Sequence, residues 1–154
     1  MSFIKAKQHL EKFNLESRII EFNESTATVA LAAIALGVTE GEIAKSLLFI
    51  VNDIPILVIV AGDKKIDNHK FKEEFNIKAK MVPFDDVETL IGHAAGGVCP
   101  FGVNSNAKVY LDISLKKYKY VYPACGTSNT AVKLLIEELE AASNNLKWVD
   151  VCKE

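Results

Sequence analysis

Sulfur is scarce in this chain. Its three cysteines, Cys99, Cys125 and Cys152, are odd in number and far apart, and no Cys-x-x-Cys occurs. That excludes a zinc ribbon and a thioredoxin-type redox motif, and leaves reduced, structurally ordinary thiols as the expectation. The three histidines, His9, His69 and His93, form no metal-ligand constellation. There is no Gly-x-Ser-x-Gly elbow for a serine hydrolase, and no glycine-rich run ends in the Lys-Ser/Thr of a P-loop. No apolar run approaches the ~18 residues a membrane span needs; Ile54 to Ala61, among the longest, contains Pro55. Met1-Ser2-Phe3-Ile4-Lys5 lacks the apolar core and cleavage site of a signal peptide, so a cytoplasmic protein is expected. Nor does one sign of charge dominate. The 18 basic and 20 acidic residues give a net charge of −2, which excludes a histone-like or strongly basic nucleic-acid binder but leaves room for a local basic patch.

What is present reads as one globular domain over residues 1–154, with no internal repeat or linker. Hydrophobic residues make up 49% and charged residues 25% of the 154, enough to bury a real core. Phe3, Ala6, Leu10 and Phe13 fall at helical spacing. Arg18 to Phe22 reads as a short strand. Ser25-Thr26 offers caps for an alanine-rich helix that runs to Leu36 and ends at Gly37. Thr39-Glu40-Gly41-Glu42 has capping-box spacing, as does Asp85-Asp86-Val87-Glu88 before a helix through Ile91. Ser46 to Val51 and Ile54 to Ala61 read as a hairpin turning at Asn52-Asp53, with strands covered on both faces. Asp67 to Phe75 reads as a helix. Ala79 to Val82, Ala107 to Asp112, Lys119 to Pro123 and Lys147 to Val151 read as strands. Thr130 to Ile136 reads as a strand feeding a helix over Glu137 to Ala142. His9 and His69, in helix candidates, are expected at the surface. The mixture lacks Rossmann alternation and predicts a mixed α+β sheet.

Three segments could carry chemistry. Lys45, in Ala44-Lys45-Ser46, sits where a short helix feeds a buried strand, and a cation there could hold a phosphate or polarise a carbonyl; it could equally snorkel at a strand end. Gly92 to Gly102 holds four glycines and a proline, and exposes backbone N–H groups that could form an oxyanion hole or merely turn the chain. Ala124-Cys125-Gly126-Thr127-Ser128-Asn129, small and polar after a strand, could line a pocket or form a turn. A His93–Cys99 dyad is disfavoured, because no third orienting group is evident. Lys64, Lys65, Lys70, Lys72, Lys78 and Lys80, interleaved with Asp63, Asp67, Glu73 and Glu74, could be a solvated face or a modest stripe for an RNA backbone.

Taken in order, these segments resemble the YbaK/prolyl-tRNA-synthetase-associated family of free-standing editing proteins. The resemblance rests on Ala33 to Val38, Ile43 to Phe49, Val60 to Asp67 with its Gly62-Asp63 turn, the Gly96 to Gly102 loop, Asp112 to Leu115 and Ala124 to Asn129. It implies an α+β fold with a mixed, largely antiparallel, barrel-like sheet flanked by helices. It also implies a hydrolase that cleaves the ester of a mischarged amino acid at the 3′ aminoacyl end of a tRNA, usually that for proline. No metal or cofactor is implied, and no membrane or DNA partner; a prolyl-tRNA synthetase is a possible partner. Under the resemblance Lys45 engages the terminal nucleotide, and N–H groups at Gly96, Gly97 and Val98 stabilise the oxyanion. The substrate would meet Thr26, Val29, Ala30, Ser46, Gly62, Asp63, His93, Cys99, Pro100, Gly126 and Thr127. Asn129-Thr130-Ala131 stands where the cysteinyl branch carries Gly-Leu-Asp, which points toward alanine or another small residue. The competing reading is a non-catalytic paralogue that holds tRNA ends or a synthetase.

Overall fold

A computed structural model describes residues 2–154. They form five α-helices and eight strands. The helices are α1 (Ser2–Glu11), α2 (Val29–Leu36), α3 (Asn68–Phe75), α4 (Val87–Ile91) and α5 (Ile136–Ser143). The strands are β1 (Ile19–Glu21), β2 (Ile43–Val51), β3 (Ile54–Ala61), β4 (Lys108–Asp112), β5 (Tyr120–Pro123), β6 (Thr130–Val132), β7 (Leu134–Leu135) and β8 (Trp148–Val149). A curled six-stranded sheet has the order β7-β5-β2-β3-β4-β8, and β1 pairs with β6 in a small second sheet. The α+β, barrel-like expectation holds. The longest ladder is the antiparallel β2–β3 hairpin, from Ala44↔Ala61 to Val51↔Ile54. Asn52 and Asp53 turn it with φ of 51° and 65°, the positive pair a type I′ turn requires. The β2–β5, β3–β4 and β4–β8 ladders are parallel.

The hairpin is covered on both faces, as its near-continuous apolar runs predict. On one face Ala44, Leu48, Leu57 and Ile59 pack with Leu10 of α1, Ile91 of α4 and Leu139 of α5. On the other, Phe49, Val58 and Val60 pack with Phe71 of α3 and with Val151 and Cys152. Phe71 stands 4.7 Å from Phe49 and 4.6 Å from Phe75, ring centre to ring centre. The buried Asp112 carboxylate ties the C-terminal segment to the sheet by accepting from Val151 N and Ser114 N, both at 2.8 Å.

Some expectations shift. Thr28, not Ser25 or Thr26, caps α2: its hydroxyl accepts from Leu31 N at 3.1 Å, because a cap oxygen must reach the N–H three residues on. Ala79 to Val82 supplies only a bridge, Phe49↔Met81, rather than a strand. No side-chain cap forms at Asp86, and a 3₁₀ turn over Phe84–Asp86 leads into α4 instead. The run from Thr130 breaks in two, because β6 pairs with β1 and β7 with β5. His9 is half-buried, its Nε2–H donating to Ala142 O at 2.6 Å; His69 is exposed as expected, beside Glu73. No helix among the described residues is long and apolar enough to cross a membrane.

Candidate active site

The sheet has a gap along one edge of β2. Strand β5 pairs with it only at Ile43 and Ala44. Further on, Leu48 O accepts from Val82 N at 3.0 Å and Ile50 N donates to Lys80 O at 3.2 Å. Residues two apart on a strand turn their backbone polar groups the same way. The N–H and C=O of Ser46 therefore point along that edge too, into the stretch that neither neighbour covers. A cleft of about 120 Å³ opens there. An engineered apolar cavity of ~150 Å³ holds a benzene, so the cleft has room for a small side chain.

The entrance to α2 makes one wall, with Thr26, Thr28, Val29 and Ala32. The glycine-rich loop makes another through Ala95, Gly96 and Val98, and Tyr122, Ala124 and Thr130 close the remaining side. Small residues dominate, and Lys45 is the one charged residue in the lining. The walls are laced together: Thr26 N donates to Ser128 O at 2.6 Å, Asn129 Nδ2 to Phe22 O at 2.9 Å, and the Thr127 hydroxyl lies 2.8 Å from that of Thr130.

Lys45 is half-buried and makes no ion pair among the described residues. Strand alternation sets it on the face of β2 that carries Phe49, opposite Ala44 and Leu48. Burial lowers its pKa below that of an ordinary lysine; Cys152 and Asp63 partly oppose this, and Lys65 adds to it. Burial favours the neutral amine, so the ammonium is lost at a lower pH than that of an ordinary lysine. Binding of uncharged tRNA is thus expected to weaken on the alkaline side before a surface lysine would titrate, with a flat profile for Lys45→Arg over the same range. Fluorescence anisotropy against pH checks this, and uncharged tRNA avoids base hydrolysis of the ester. The Ser46 side chain alternates to the face of Ala44 and Leu48, where its hydroxyl oxygen is buried and has no hydrogen-bond partner among the described residues.

The structure brings Thr26, Val29, Lys45, Ser46, Gly96 and Val98 to the cleft. Asp63, in the turn after β3, is exposed and acts on Lys45 only through its charge. The other expected residues lie elsewhere. Ala30 is exposed and outside the lining, its place taken by Ala32 one turn face away. Gly62 is buried behind α2, where a Cβ would come 2.2 Å from Glu40 O and 2.8 Å from Val29 Cγ1. Gly97 is a packing residue: its N–H donates to Ala94 O at 2.8 Å and its carbonyl accepts from Gly126 N at 2.9 Å. Its amide is therefore occupied, and of the three loop residues expected to supply amides only Gly96 and Val98 line the cleft. Gly126 and Thr127 line a neighbouring depression shared with Ala95 and Gly96, under the exposed Phe84. Pro100 faces the far side of the loop.

His93 and Cys99 are both fully buried beneath the loop. The His93 Nε2–H donates to Phe101 O at 2.5 Å, and burial lowers the ring's pKa, so the imidazole is neutral. Cys99 Sγ lies 3.6 Å from that same protonated nitrogen, which cannot take its proton, and burial pushes the thiol's pKa far up. A thiolate nucleophile is excluded on both counts. Cys99→Ala is expected to retain deacylase activity within about threefold, the spread left by small packing changes; a loss of two orders of magnitude would restore the dyad.

The lining residues that sequence reasoning missed, chiefly Thr28, Ala32, Ala44, Tyr122 and Thr130, come from regular elements. Only Thr28 carried a local signal, as the hydroxyl immediately before the apolar run.

Comparison with known proteins gives a consistent picture. A family model described as "Aminoacyl-tRNA editing domain" matches residues 23–142. The chain is 44% identical to the Bacillus subtilis protein YwhH, described as uncharacterized, over 100% of this chain and 99% of that one. It is 24% identical, over 90% of this chain and 87% of the other, to EbsC of Enterococcus faecalis, named as a candidate Cys-tRNA(Pro)/Cys-tRNA(Cys) deacylase. A 30% match to the proline–tRNA ligase of Shouchella clausii covers 67% of this chain but 18% of the ligase. Among solved structures, one described as a candidate trans-editing enzyme for prolyl tRNA synthetase superposes with a TM-score of 0.88 at 29% identity, covering 99% of this chain and 98% of that one.

Proposed function

The chain belongs to the aminoacyl-tRNA editing domain family, and from that premise we propose that it is a free-standing deacylase that hydrolyses the ester between a wrongly attached small amino acid and the 3′ end of a tRNA, with the proline tRNA as the leading substrate. The observation that carries this reading is a half-buried lysine without an ion pair, alone in charge among the residues of a cleft of about 120 Å³. A cation held in that state suits an anionic ligand, and the volume suits a small aminoacyl group.

An aminoacyl ester is already activated, so a positioned water suffices and no covalent nucleophile is required. Lys45 anchors the terminal nucleotide through its phosphate or sugar oxygens. The N–H groups of Gly96 and Val98 donate hydrogen bonds to the carbonyl oxygen as negative charge develops on it. The ribose hydroxyl beside the ester helps to orient the water. Thr26, Val29 and Ala32 bound the side-chain space. An apolar pocket gains only ~1–3 kcal/mol per methylene, so exclusion by size does the sorting and larger residues stay out. Likeness to part of a proline–tRNA ligase supports work alongside that synthetase in the cytoplasm.

The test is a panel of proline tRNA charged with alanine, cysteine, serine or proline. Selective loss of one small wrong amino acid supports the reading and names the substrate. Tight binding of the tRNA with no ester loss across the panel would overturn it in favour of a protein that only holds tRNA ends.

A further inference from the structure

On the far side of the glycine-rich loop lies a second, larger hollow of about 690 Å³. Helix α1 buries Ala6 and Leu10 in the core and presents Lys5 and Gln8 along a different face, and Lys12 follows in the turn just past its end. Lys108 at the start of β4, with Ser105 and Asn144, forms the opposite wall. No acidic residue lines this groove, and Lys5, Lys12 and Lys108 make no ion pair among the described residues. The lysine-rich stretch over 64–80 is different: acids interleave with it, and Lys70 is paired to Asp150 and Glu154. The groove thus gathers three unpaired lysines with no acid in its lining, whereas acids alternate with the lysines of the stripe.

One loop joins the two sites. Gly96 and Val98 line the cleft, while Pro100 and Gly102 line the groove. Six residue steps at ~3.3–3.6 Å each place them within roughly 20 Å of one another along the chain, a distance that a few nucleotides of single strand cover.

We propose that this groove holds the phosphates of the tRNA acceptor strand just upstream of the ester, so that the loop is gripped between the reacting end on one side and the backbone on the other. The inference rests on the editing reading above and adds a surface to it. Phosphate contacts of this kind are insensitive to base sequence and steeply sensitive to salt. Lys5, Lys12 and Lys108 act as point charges on exposed stems and position the strand; they take no part in the chemistry.

The experiment measures binding of an uncharged proline tRNA acceptor minihelix by fluorescence anisotropy from low to high salt. It compares wild type, Lys5→Gln/Lys12→Gln/Lys108→Gln, and a control of equal charge change, Lys72→Gln/Lys78→Gln/Lys153→Gln. The groove variant is expected to bind at least about tenfold more weakly at low salt and to lose about 2–3 from the slope of log affinity against log salt. The control is expected to track wild type. In deacylation, the groove variant raises KM and leaves kcat at saturation near wild type. Equal binding by groove variant and wild type would overturn the proposal, as would an equal loss in the control. Because binding is read with uncharged RNA, a wild type that never cleaves the ester defeats the editing reading alone; a wild type that edits while the groove variant binds normally defeats the groove alone.

Discussion

Lys45→Ala is expected to fold normally and to lose roughly 10- to 150-fold in kcat/KM for the mischarged tRNA, the equivalent of one charged hydrogen bond of about 1.5–3 kcal/mol. Folding should not suffer, because the lysine has no ion pair to lose and burial already disfavours its charge. Thermal melting should therefore match wild type or rise slightly. Lys45→Arg keeps the charge but brings a planar, wider head to a cleft of about 120 Å³, so only partial rescue is expected. Equal hydrolysis by wild type and Lys45→Ala would remove the lysine from the mechanism.

Gly97→Ala is expected to be the most damaging small substitution in the loop. Its Cβ would lie 2.2 Å from Thr127 N, 2.3 Å from Gly126 C and 2.6 Å from Thr127 Cα, all backbone atoms that cannot step aside. The cost is about 3 kcal/mol or more, which for a chain of this size lowers the melting temperature by roughly 6–12 °C. Activity should fall with it, since Gly97 fixes its neighbours against the 126–127 turn. Gly96→Ala makes the contrast. Its Cβ would meet Ser128 Cβ at 3.2 Å and Ala27 Cβ at 3.6 Å, so the fold survives within about 1 kcal/mol. The new methyl narrows the cleft, and hydrolysis of larger aminoacyl groups should drop more than that of alanine. Melting curves and the deacylation panel on both variants check the pair. A Gly97→Ala protein as stable and active as wild type would contradict the packing account.

The parts of the fold legible in the sequence are those that local chemistry dictates. The Asn52-Asp53 turn, the apolar runs flanking it and the helix that follows Asp67 each depend on residues within a few positions of one another. What escaped depends on distant partners. Thr130 to Leu135 is one β-rich run in sequence, but β1 claims its first half and β5 its second, so it breaks. Met81 has strand-like neighbours but meets β2 only through a bridge to Phe49.

The site divides along the same line. Lys45, Ser46, Gly96 and Val98 were identifiable because a cation at a strand entrance and a glycine-rich loop are unusual locally. His93 looked functional for its position beside that loop, yet it serves as a buried strut on Phe101 O. Ala30 and Ala32 are indistinguishable in composition; only the packing of α2 on Ile43 and Tyr122 decides which one turns inward. The cleft itself has no sequence signature, since it exists where β5 stops pairing with β2 and residues 80–82 have not yet begun.

The most direct test of the central claim is a crystal structure with a 3′-alanylamino adenosine, in which an amide replaces the scissile ester. The account predicts the alanyl group in the cleft beside Val29 and Ala32, its carbonyl oxygen about 3 Å from the Gly96 and Val98 amides, and the nucleotide in reach of Lys45. Density for the compound elsewhere on the surface, with the cleft empty at full occupancy, would contradict it.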